Sequence, residues 1–419
     1  MIYIATWGDP LGWSTDAKYV CEDSKVTEGF SGIFCYEKFD RVIIITLDSI
    51  LTPIGKDKPK NTKAYNCIKQ INVSEIKDYD TWKTKTEEYI KCIISNYIPD
   101  VIVLPAIGKY GDFTYGKYKN TWIRPEHLKI ILAYELYKKL KEIRENEEVI
   151  LDTTHGVNYV GALTLLTLQK LSTLLKFRLT VINFIPTVMF KEYSFTEVYR
   201  IKPSVFDYDS IDEKNIGKDR VKKAIILSLK RNSVLMLAYL CDSVSLSGYE
   251  FKPVIEGNEI KLVNDLNVKK EDEAWADIIS DYLCKKVRSK GEKKRYLSSL
   301  RDLAKEIYGN SAFAVITDKE LNDLWSIARN NLGFNEEKLY KDIRMKDQNS
   351  EDTETKKEKE EKDVTIRNFI AHAGLLKDIV KVKKVSDKEL EISYDANSEN
   401  IKTLSEILDV ELNELLNRN

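Results

Sequence analysis

The feature that most constrains the fold is a series of short, strongly apolar runs in the first 205 residues, which alternate with longer amphipathic stretches. The candidate strands are 2–6, 41–47, 100–106, 148–154, 179–185 and 195–201, and the candidate helices are 80–97, 125–145 and 158–177. Strands without polar alternation, separated by helices, are typical of a parallel sheet covered on both faces. Residues 1–205 are therefore predicted to form an α/β Rossmann-like domain, with an antiparallel element near 179–201.

The second half has a helical pattern. Apolar residues recur at helical spacing in 219–241, 272–289, 293–308, 318–332, 364–376 and 400–417. Residues 346–363 are polar and charged, which predicts a mobile loop. Residues 379–394 alternate on both sides of Ser386 and Asp387, which predicts a β-hairpin. We expect an α-helical domain over 271–419 with an inserted hairpin, and a connecting region over 206–270.

Composition limits the classes of function. The chain has 419 residues, which favours two domains, and 43% hydrophobic with 32% charged residues is typical of a soluble globular protein. The net charge of −1 means that any nucleic-acid site must be local. No apolar run approaches the ~20 residues that span a bilayer. The sequence opens with a predicted strand, which leaves no room for a signal peptide.

The six cysteines, at positions 21, 35, 67, 92, 241 and 284, contain no C-x-x-C pair. This scatter argues against a zinc site and against a disulfide framework, and it suits a reducing cytoplasm. The sequence also shows no carboxylate cluster suited to a two-metal site.

Ligands of open α/β sheets bind beyond the carboxyl ends of the strands. Three segments occupy such positions: 6–14, 105–120 and 152–161. In the third segment Asp152, Thr153, Thr154 and Asn158 are expected to cap the following helix, whose N–H groups would then bind an anion. Gly156 is expected to let a ligand approach the backbone. The alternative is an ordinary capped turn, and His155 by itself favours a turn or core role over catalysis.

The 105–120 segment combines glycines, lysines and tyrosines, which suits phosphates and bases. Its members are Gly108, Gly111, Gly116, Lys109, Lys117, Lys119, Tyr110, Tyr115 and Tyr118. The alternative is a solvated, tyrosine-rich surface loop. No G-x-G-x-x-G follows the first strand, so a nicotinamide or flavin enzyme is disfavoured.

The stretch "RNFIAHAG" at 367–374 contains the only histidine of the second half, His372. Histidine is the usual acid or base near neutral pH, and Arg367 is a permanent cation suited to a phosphate. At about 100° per residue, a five-residue step places the two side chains about 140° apart on a helix. Two such helices that meet across a twofold axis would bring both pairs to one groove. The alternative is an amphipathic helix with "FIA" in the core.

Together these segments resemble a known family. "RNFIAH" is similar to the R-x4–6-H motif of HEPN ribonucleases, including the polar Asn368 after the arginine. "LDTTHGVNYVG" resembles the strand-4 turn of CARF domains, the Rossmann-fold sensors of CRISPR systems. The order fits the CARF–HEPN ribonucleases that accompany type III CRISPR systems, especially the branch with a hairpin inserted beside the HEPN motif.

The resemblance implies a homodimer or an assembly of dimers that is activated by a cyclic oligoadenylate, with cyclic tetra-adenylate as the expected ring. It implies cleavage of single-stranded RNA in the cytoplasm without metal or other cofactor, through attack by the RNA 2′-hydroxyl. Arg367 and His372 would be catalytic, and Asn368 would support them. The implied activator site comprises Thr6, Trp7, Gly8, Asp9, Gly108, Lys109, Asp152, Thr153, Thr154, His155, Gly156 and Asn158, of which the first six match by location alone.

Two alternatives remain at this point. A ligand-responsive transcription regulator of the CARF type would need a DNA-binding module, and residues 219–270 have room for a winged helix. An enzyme that degrades cyclic oligoadenylate in its CARF domain is compatible with the ribonuclease and would coexist with it.

Overall fold

The chain divides into two units, residues 1–204 with 248–271 and residues 205–247 with 272–419. The computed structural model describes residues 1–52, 59–118, 121–188, 191–242, 244, 251–262, 270–348, 366–412 and 416. Within these residues no helix is both long and apolar enough to cross a membrane.

Among its described residues, the first unit contains a mixed eight-stranded sheet and four α-helices. Its strands are β1 (Ile2–Trp7), β2 (Ala17–Val20), β3 (Val26–Gly29), β4 (Arg41–Leu47), β5 (Asp100–Leu104), β9 (Glu148–Asp152), β10 (Arg178–Val188) and β11 (Glu192–Ile201). Its helices are α1 (Thr62–Ile68), α2 (Tyr79–Ile93), α3 (Pro125–Leu140) and α4 (Asn158–Leu175).

The strand order is β3-β2-β11-β10-β9-β1-β4-β5. The five strands from β10 to β5 are parallel, and β11 runs antiparallel to β10, as the sequence predicted. Every residue of β1 is buried. Helices α2 and α3 pack on β5, and α4 packs on β1 and β10. Because helices cover the central strands, the strand sequences have no polar alternation.

The 105–120 segment was expected to be a loop, and that expectation was wrong. It forms β6 (Gly108–Tyr110) and β7 (Phe113–Tyr118), and β8 (Thr121–Trp122) follows. A second sheet joins these to β12 (Pro253–Glu256) and β13 (Glu259–Leu262), in the order β12-β13-β7-β6, with β8 on β7. The tyrosines are therefore partly structural: Tyr115 is fully buried, and its hydroxyl lies 2.7 Å from that of Thr52.

The second unit is mainly helical. Its helices are α5 (Arg220–Lys230), α6 (Val234–Leu240), α7 (Glu271–Ser289), α8 (Leu297–Tyr308), α9 (Ala312–Asn331), α10 (Tyr340–Gln348), α11 (Ile366–Ala371) and α12 (Ile401–Leu408). A small antiparallel sheet of β14 (Glu337–Leu339), β15 (Val380–Ser386) and β16 (Glu389–Tyr394) contains the predicted hairpin. The fold class, an α/β Rossmann-like unit followed by a helical unit with a hairpin, is confirmed.

The region expected to connect the domains, 206–270, does not form one module. Its helices α5 and α6 belong to the second unit, whereas its strands β12 and β13 belong to the first. The predicted helix 219–241 is interrupted at Asn232, whose φ of 54° is left-handed. The described residues of this region therefore do not form a separate winged-helix module. A mobile loop was predicted over 346–363. Residues 346–348 belong to α10, and residues 349–363 lie outside the described residues.

The expectation that the chain has no disulfides was wrong. All six cysteines are paired, as Cys21–Cys35, Cys67–Cys92 and Cys241–Cys284. The partners are 14, 25 and 43 residues apart, so local spacing carried no signal of the pairing. Sequence alone cannot give cysteine connectivity, because partners meet only when the elements that carry them pack together.

Candidate functional site

The segments after β1 and β9 lie side by side, because the two strands are parallel neighbours in the sheet. The Gly8 N–H donates a hydrogen bond to the His155 carbonyl oxygen, at 2.9 Å. Two of the three segments expected at the ligand end of the sheet are thus brought into direct contact.

The turn after β9 is held together by internal hydrogen bonds. Asp152 is buried and accepts hydrogen bonds from the Tyr3 hydroxyl, at 2.5 Å, and from the Thr154 N–H, at 2.8 Å. The Thr154 hydroxyl oxygen accepts from the Phe184 N–H of β10, at 2.9 Å. Burial raises the pKa of Asp152, and these donors partly offset it. The Asp152 carboxylate therefore organises the turn.

The expected side-chain caps of the following helix are absent. Helix α4 begins at Asn158, its N-cap is Val157, and no side chain accepts a hydrogen bond there. Thr153 and Thr154 instead bond to β10, and Asn158 is exposed in the first turn. The two threonines of the turn form hydrogen bonds to the neighbouring strand. A sequence pattern cannot distinguish such bonds from hydrogen bonds that cap a helix.

Gly156 lies against the end of β1. A Cβ at this position would lie 2.1 Å from the Thr6 hydroxyl oxygen. The close approach of the turn to β1 thus requires glycine at this position. Thr6 itself is 1% exposed.

His155 belongs to an aromatic cluster. Its Nε2 lies 2.7 Å from the Tyr19 hydroxyl, and its ring centroid is 4.5 Å from that of Trp13 and 5.7 Å from that of Tyr193. Burial lowers the pKa of His155 to about 4. The ring is therefore neutral at neutral pH and packs as part of this cluster, and the residue as a whole is half-buried.

A cavity of about 180 Å³ opens beside the ends of β1 and β4. Its lining comprises Trp7, Gly8, Asp9, Thr46, Leu47, Ser49, Ile50, Thr52, Tyr110 and Val157. Burial raises the pKa of Asp9, whose carboxylate also accepts the Leu11 N–H at 3.0 Å. Three residues predicted from the first segment are in this lining. Gly108 and Lys109 lie on β6 beside the lining residue Tyr110, with Lys109 exposed.

Sequence reasoning missed the contribution of β4. Thr46, Ser49 and Thr52 follow the same carboxyl-end rule as the predicted segments, so the signal was present in "TLDSILT".

In the second unit Arg367, Asn368 and His372 lie on or directly after the short helix α11. Arg367 is exposed, Asn368 is half-buried, and Phe369 between them and His372 is fully buried. The His372 N–H donates to the Asn368 carbonyl at 3.0 Å, which continues the helical hydrogen bonding. The buried Phe369 anchors the helix and leaves the arginine and histidine at the surface.

The helix ends at Ala371, directly before His372. The Gly374 N–H donates to the Phe369 carbonyl at 2.9 Å, and Gly374 has a left-handed φ of 74°. The Tyr394 hydroxyl of β16 donates to the Gly374 carbonyl at 3.2 Å. The predicted hairpin thus fixes the turn beside His372.

Glu320 of α9 is the neighbour that sequence reasoning missed. Its Oε2 lies 3.2 Å from the His372 Nδ1. Its side chain is 16% exposed, against 47% for His372. The hydrogen bond and charge of Glu320 raise the pKa of His372, while burial and the cations Arg344 and Lys377 oppose this. Within the described residues, no group of three or more histidine, cysteine or carboxylate side chains is placed to hold a metal.

Comparison with known proteins matches both units. The model of the CARF domain of the CRISPR system endoribonuclease Csx1 matches residues 2–188, and the model of the Csx1 HEPN domain matches residues 303–397. The CRISPR system endoribonuclease Csx1 of Methanocaldococcus jannaschii is 24% identical over 447 aligned positions, which cover 91% of this chain and 86% of the relative. Glu320, Arg367 and His372 all lie in the HEPN match. The chain therefore belongs to the CARF–HEPN family of CRISPR-associated ribonucleases.

Proposed function

We propose that this chain is an endoribonuclease that cleaves single-stranded RNA without a metal ion, when a cyclic oligoadenylate binds its CARF unit. The observation that carries this proposal is the exposed Arg367 together with the His372–Glu320 pair, at 3.2 Å, inside the segment matched by the HEPN model. The family resemblance, and not the cysteines, which are all paired, is our ground for proposing a cytoplasmic role in antiviral defence by a type III CRISPR system.

The cleavage uses the RNA's own 2′-hydroxyl. The 2′-oxygen forms a bond to the adjacent phosphorus, the P–O5′ bond breaks, and the 2′-hydroxyl proton passes to water. His372 donates a proton from Nε2 to the leaving O5′ and regains one from water. The products are a 2′,3′-cyclic phosphate and a 5′-hydroxyl. A positioned acid of this kind contributes about 10²–10⁴-fold in rate.

Two features support these roles. Because Glu320 occupies Nδ1, Nε2 is the ring nitrogen left for RNA. The raised pKa of His372 favours the protonated ring, which suits an acid. Arg367 is exposed and permanently charged, so it would stabilise the negative charge that accumulates on the phosphate oxygens.

The activator would bind at the carboxyl end of the first sheet. The cavity there presents the aromatic side chains of Trp7 and Tyr110 and the carboxylate of Asp9. Aromatic rings stack on bases, and a carboxylate accepts a hydrogen bond from an adenine amino group. A cavity of about 180 Å³ has room for part of a cyclic oligonucleotide, so the ring would extend across two copies of the chain.

We propose that the chain acts as a homodimer, or as an assembly of dimers, which such a ring would bridge. The first unit exposes apolar side chains on α4 and on the β10–β11 hairpin: Leu166, Ile185, Val188, Val198 and Tyr199. Exposed apolar groups of this kind are covered in protein interfaces. Pairing of the second units would bring two Arg367 and two His372 residues to one groove.

The test is RNA cleavage by the purified chain, in EDTA, with cyclic tetra-adenylate, cyclic hexa-adenylate or no activator. We expect cleavage that requires one of the rings, with cyclic tetra-adenylate as the first candidate, and products that end in a cyclic phosphate. Cleavage that EDTA abolishes would contradict the metal-independent route. Tight binding of duplex DNA with no RNA cleavage would instead support a transcription regulator.

A further inference from the structure

We propose that Glu320 is a positioning residue for the ribonuclease reaction, which holds His372 by its Nδ1 so that Nε2 faces the RNA. This inference rests on the proposed function, and it adds a residue from a different helix to the Arg–His pair. It is carried by the 3.2 Å contact between Glu320 Oε2 and His372 Nδ1.

The tautomer follows from the chemistry of the two groups. A carboxylate only accepts hydrogen bonds, so Nδ1 must carry the proton in this contact. Nε2 is then an acceptor in the neutral ring and a donor in the charged ring. A histidine whose second nitrogen is held by a carboxylate keeps one tautomer and one ring orientation, which is the requirement for directional proton transfer.

The setting of Glu320 distinguishes it from an ordinary surface ion pair. An exposed pair contributes little and leaves both side chains free to move. Glu320 is only 16% exposed and lies on the 20-residue helix α9, whose neighbouring residue Leu321 is fully buried. Its partner follows the helix anchored by Phe369. Both groups are thus mounted on fixed backbone, and the contact has a defined geometry.

The other charges around His372 oppose its protonation. Arg344 of α10 and Lys377, after α11, both lower the pKa of the ring, and burial adds to them. Glu320 is the carboxylate that acts on His372 in the opposite direction. Without Glu320, two cations and partial burial would therefore leave a mostly neutral ring at neutral pH, with Nδ1 and Nε2 both able to hold the proton.

The kinetic experiment compares Glu320→Gln, Glu320→Asp and the control Asp318→Asn in activated RNA cleavage across pH. Asp318 lies on the same helix, but its carboxylate pairs with Arg301, at 2.7 Å. Glu320→Gln removes the charge and keeps an acceptor oxygen. We expect kcat to fall by about 10–100-fold with KM little changed, as when groups that orient a functional histidine are lost. The alkaline limb of the pH–rate profile should move to lower pH. Glu320→Asp should recover part of the rate, and Asp318→Asn should match the wild type.

A second measurement tests the inference without cleavage. The chain contains three histidines, so a 15N-histidine spectrum has three ring systems, and the His372→Ala spectrum identifies the one at position 372. We expect a protonated Nδ1 in the neutral ring of the wild type, and a lower pKa for His372 in Glu320→Gln but not in Asp318→Asn.

The outcomes separate the two proposals. Wild-type kinetics and an unchanged His372 titration in Glu320→Gln would overturn the positioning role while the ribonuclease assignment stands. Absence of RNA cleavage by the wild type would overturn the function, and the titration would still decide whether Glu320 orients His372.

Discussion

Gly156 and Thr6 approach each other so closely that a methyl group at position 156 would lie 2.1 Å from the Thr6 hydroxyl oxygen and 2.8 Å from its Cβ. The turn after β9 and the end of β1 are therefore packed without room for a side chain. We predict that Gly156→Ala lowers the free energy of unfolding by about 1–3 kcal/mol, the usual cost of overpacking. Gly12→Ala is the control, because a Cβ there would meet nothing within 4 Å. Equal melting temperatures for the two variants would contradict the packing explanation.

His372→Ala should reduce activated RNA cleavage by about 10²–10⁴-fold, because proton transfer at the leaving oxygen is lost. Arg367→Ala should behave similarly, and Arg367→Lys should rescue poorly because an ammonium cannot replace the planar guanidinium at a phosphate. Arg329→Ala is the control, since Arg329 is an exposed cation of the same unit. Single-turnover cleavage measures these rates. Turnover like the wild type by His372→Ala would remove the catalytic assignment.

Changes in the cavity wall should alter activator affinity before they alter the maximal rate. We predict that Tyr110→Ala and Asp9→Asn raise the activator concentration at half-maximal cleavage, while the rate at saturation stays near the wild type. A ligand shifts an equilibrium only through its differential contacts, so lost contacts move the midpoint. The exposed Asp23→Asn is the control. Thr154→Ala should instead lower the free energy of unfolding, because the Thr154 hydroxyl oxygen no longer accepts the hydrogen bond from the Phe184 N–H. Unchanged midpoints would mean that the activator binds elsewhere.

Acid should destabilise the first unit through His155. Its pKa of about 4 in the folded chain lies below the ordinary value of 6.5. Below pH 6.5 the unfolded chain therefore binds a proton that the folded chain does not, and stability falls until about pH 4. The loss from this residue is at most about 3.4 kcal/mol. Chemical denaturation of the wild type and His155→Gln between pH 8 and pH 4 measures it. The variant should lose less stability over this range, and parallel curves would contradict the explanation.

Reduction of the disulfides should destabilise the chain, and the longest loop should matter most. Linking Cys241 to Cys284 restricts the unfolded chain by about 4 kcal/mol on the loop-entropy scale, against about 3 kcal/mol for Cys21–Cys35. Thermal melts of the paired serine variants, with free thiols counted before each melt, provide the comparison. Identical melting with and without reductant would show that the cross-links add no stability.

The central sheet could be predicted because its signal is local. The strand Arg41–Leu47 was predicted to the residue, and the hairpin of β15 and β16 follows from alternation around Ser386 and Asp387. The four-residue strands β2, β3, β12 and β13 were not predicted. Val26–Gly29, for example, has two exposed residues and one buried residue, and it shows no apolar periodicity. Such strands exist because a neighbouring edge pairs with them, and pairing across sequence leaves little trace in the strand itself.

The residues of the candidate site also divide into those with a local sequence signal and those without one. Arg367 and His372 are five residues apart, so a short pattern reveals both. Glu320 precedes His372 by 52 residues and is one of 67 acidic residues in the chain, so only packing of α9 beside the end of α11 identifies it. The prediction that residues 152–158 cap helix α4 failed for a similar reason. Thr153 and Thr154 form hydrogen bonds to residues of β10, which are 29 and 30 positions away in the sequence.

The pairing of β13 with β7 has a consequence for how the protein is made. Residues 253–262 complete a sheet of the first unit only after α5 and α6 of the second unit have been synthesised. During synthesis on the ribosome, the edge of β7 that pairs with β13 therefore stays unpaired until residue 262 has emerged. A gene truncated near residue 205, where the first continuous part of this unit ends, would encode a product that lacks the strand that pairs with this edge. A first unit prepared by itself should therefore include residues 251–262.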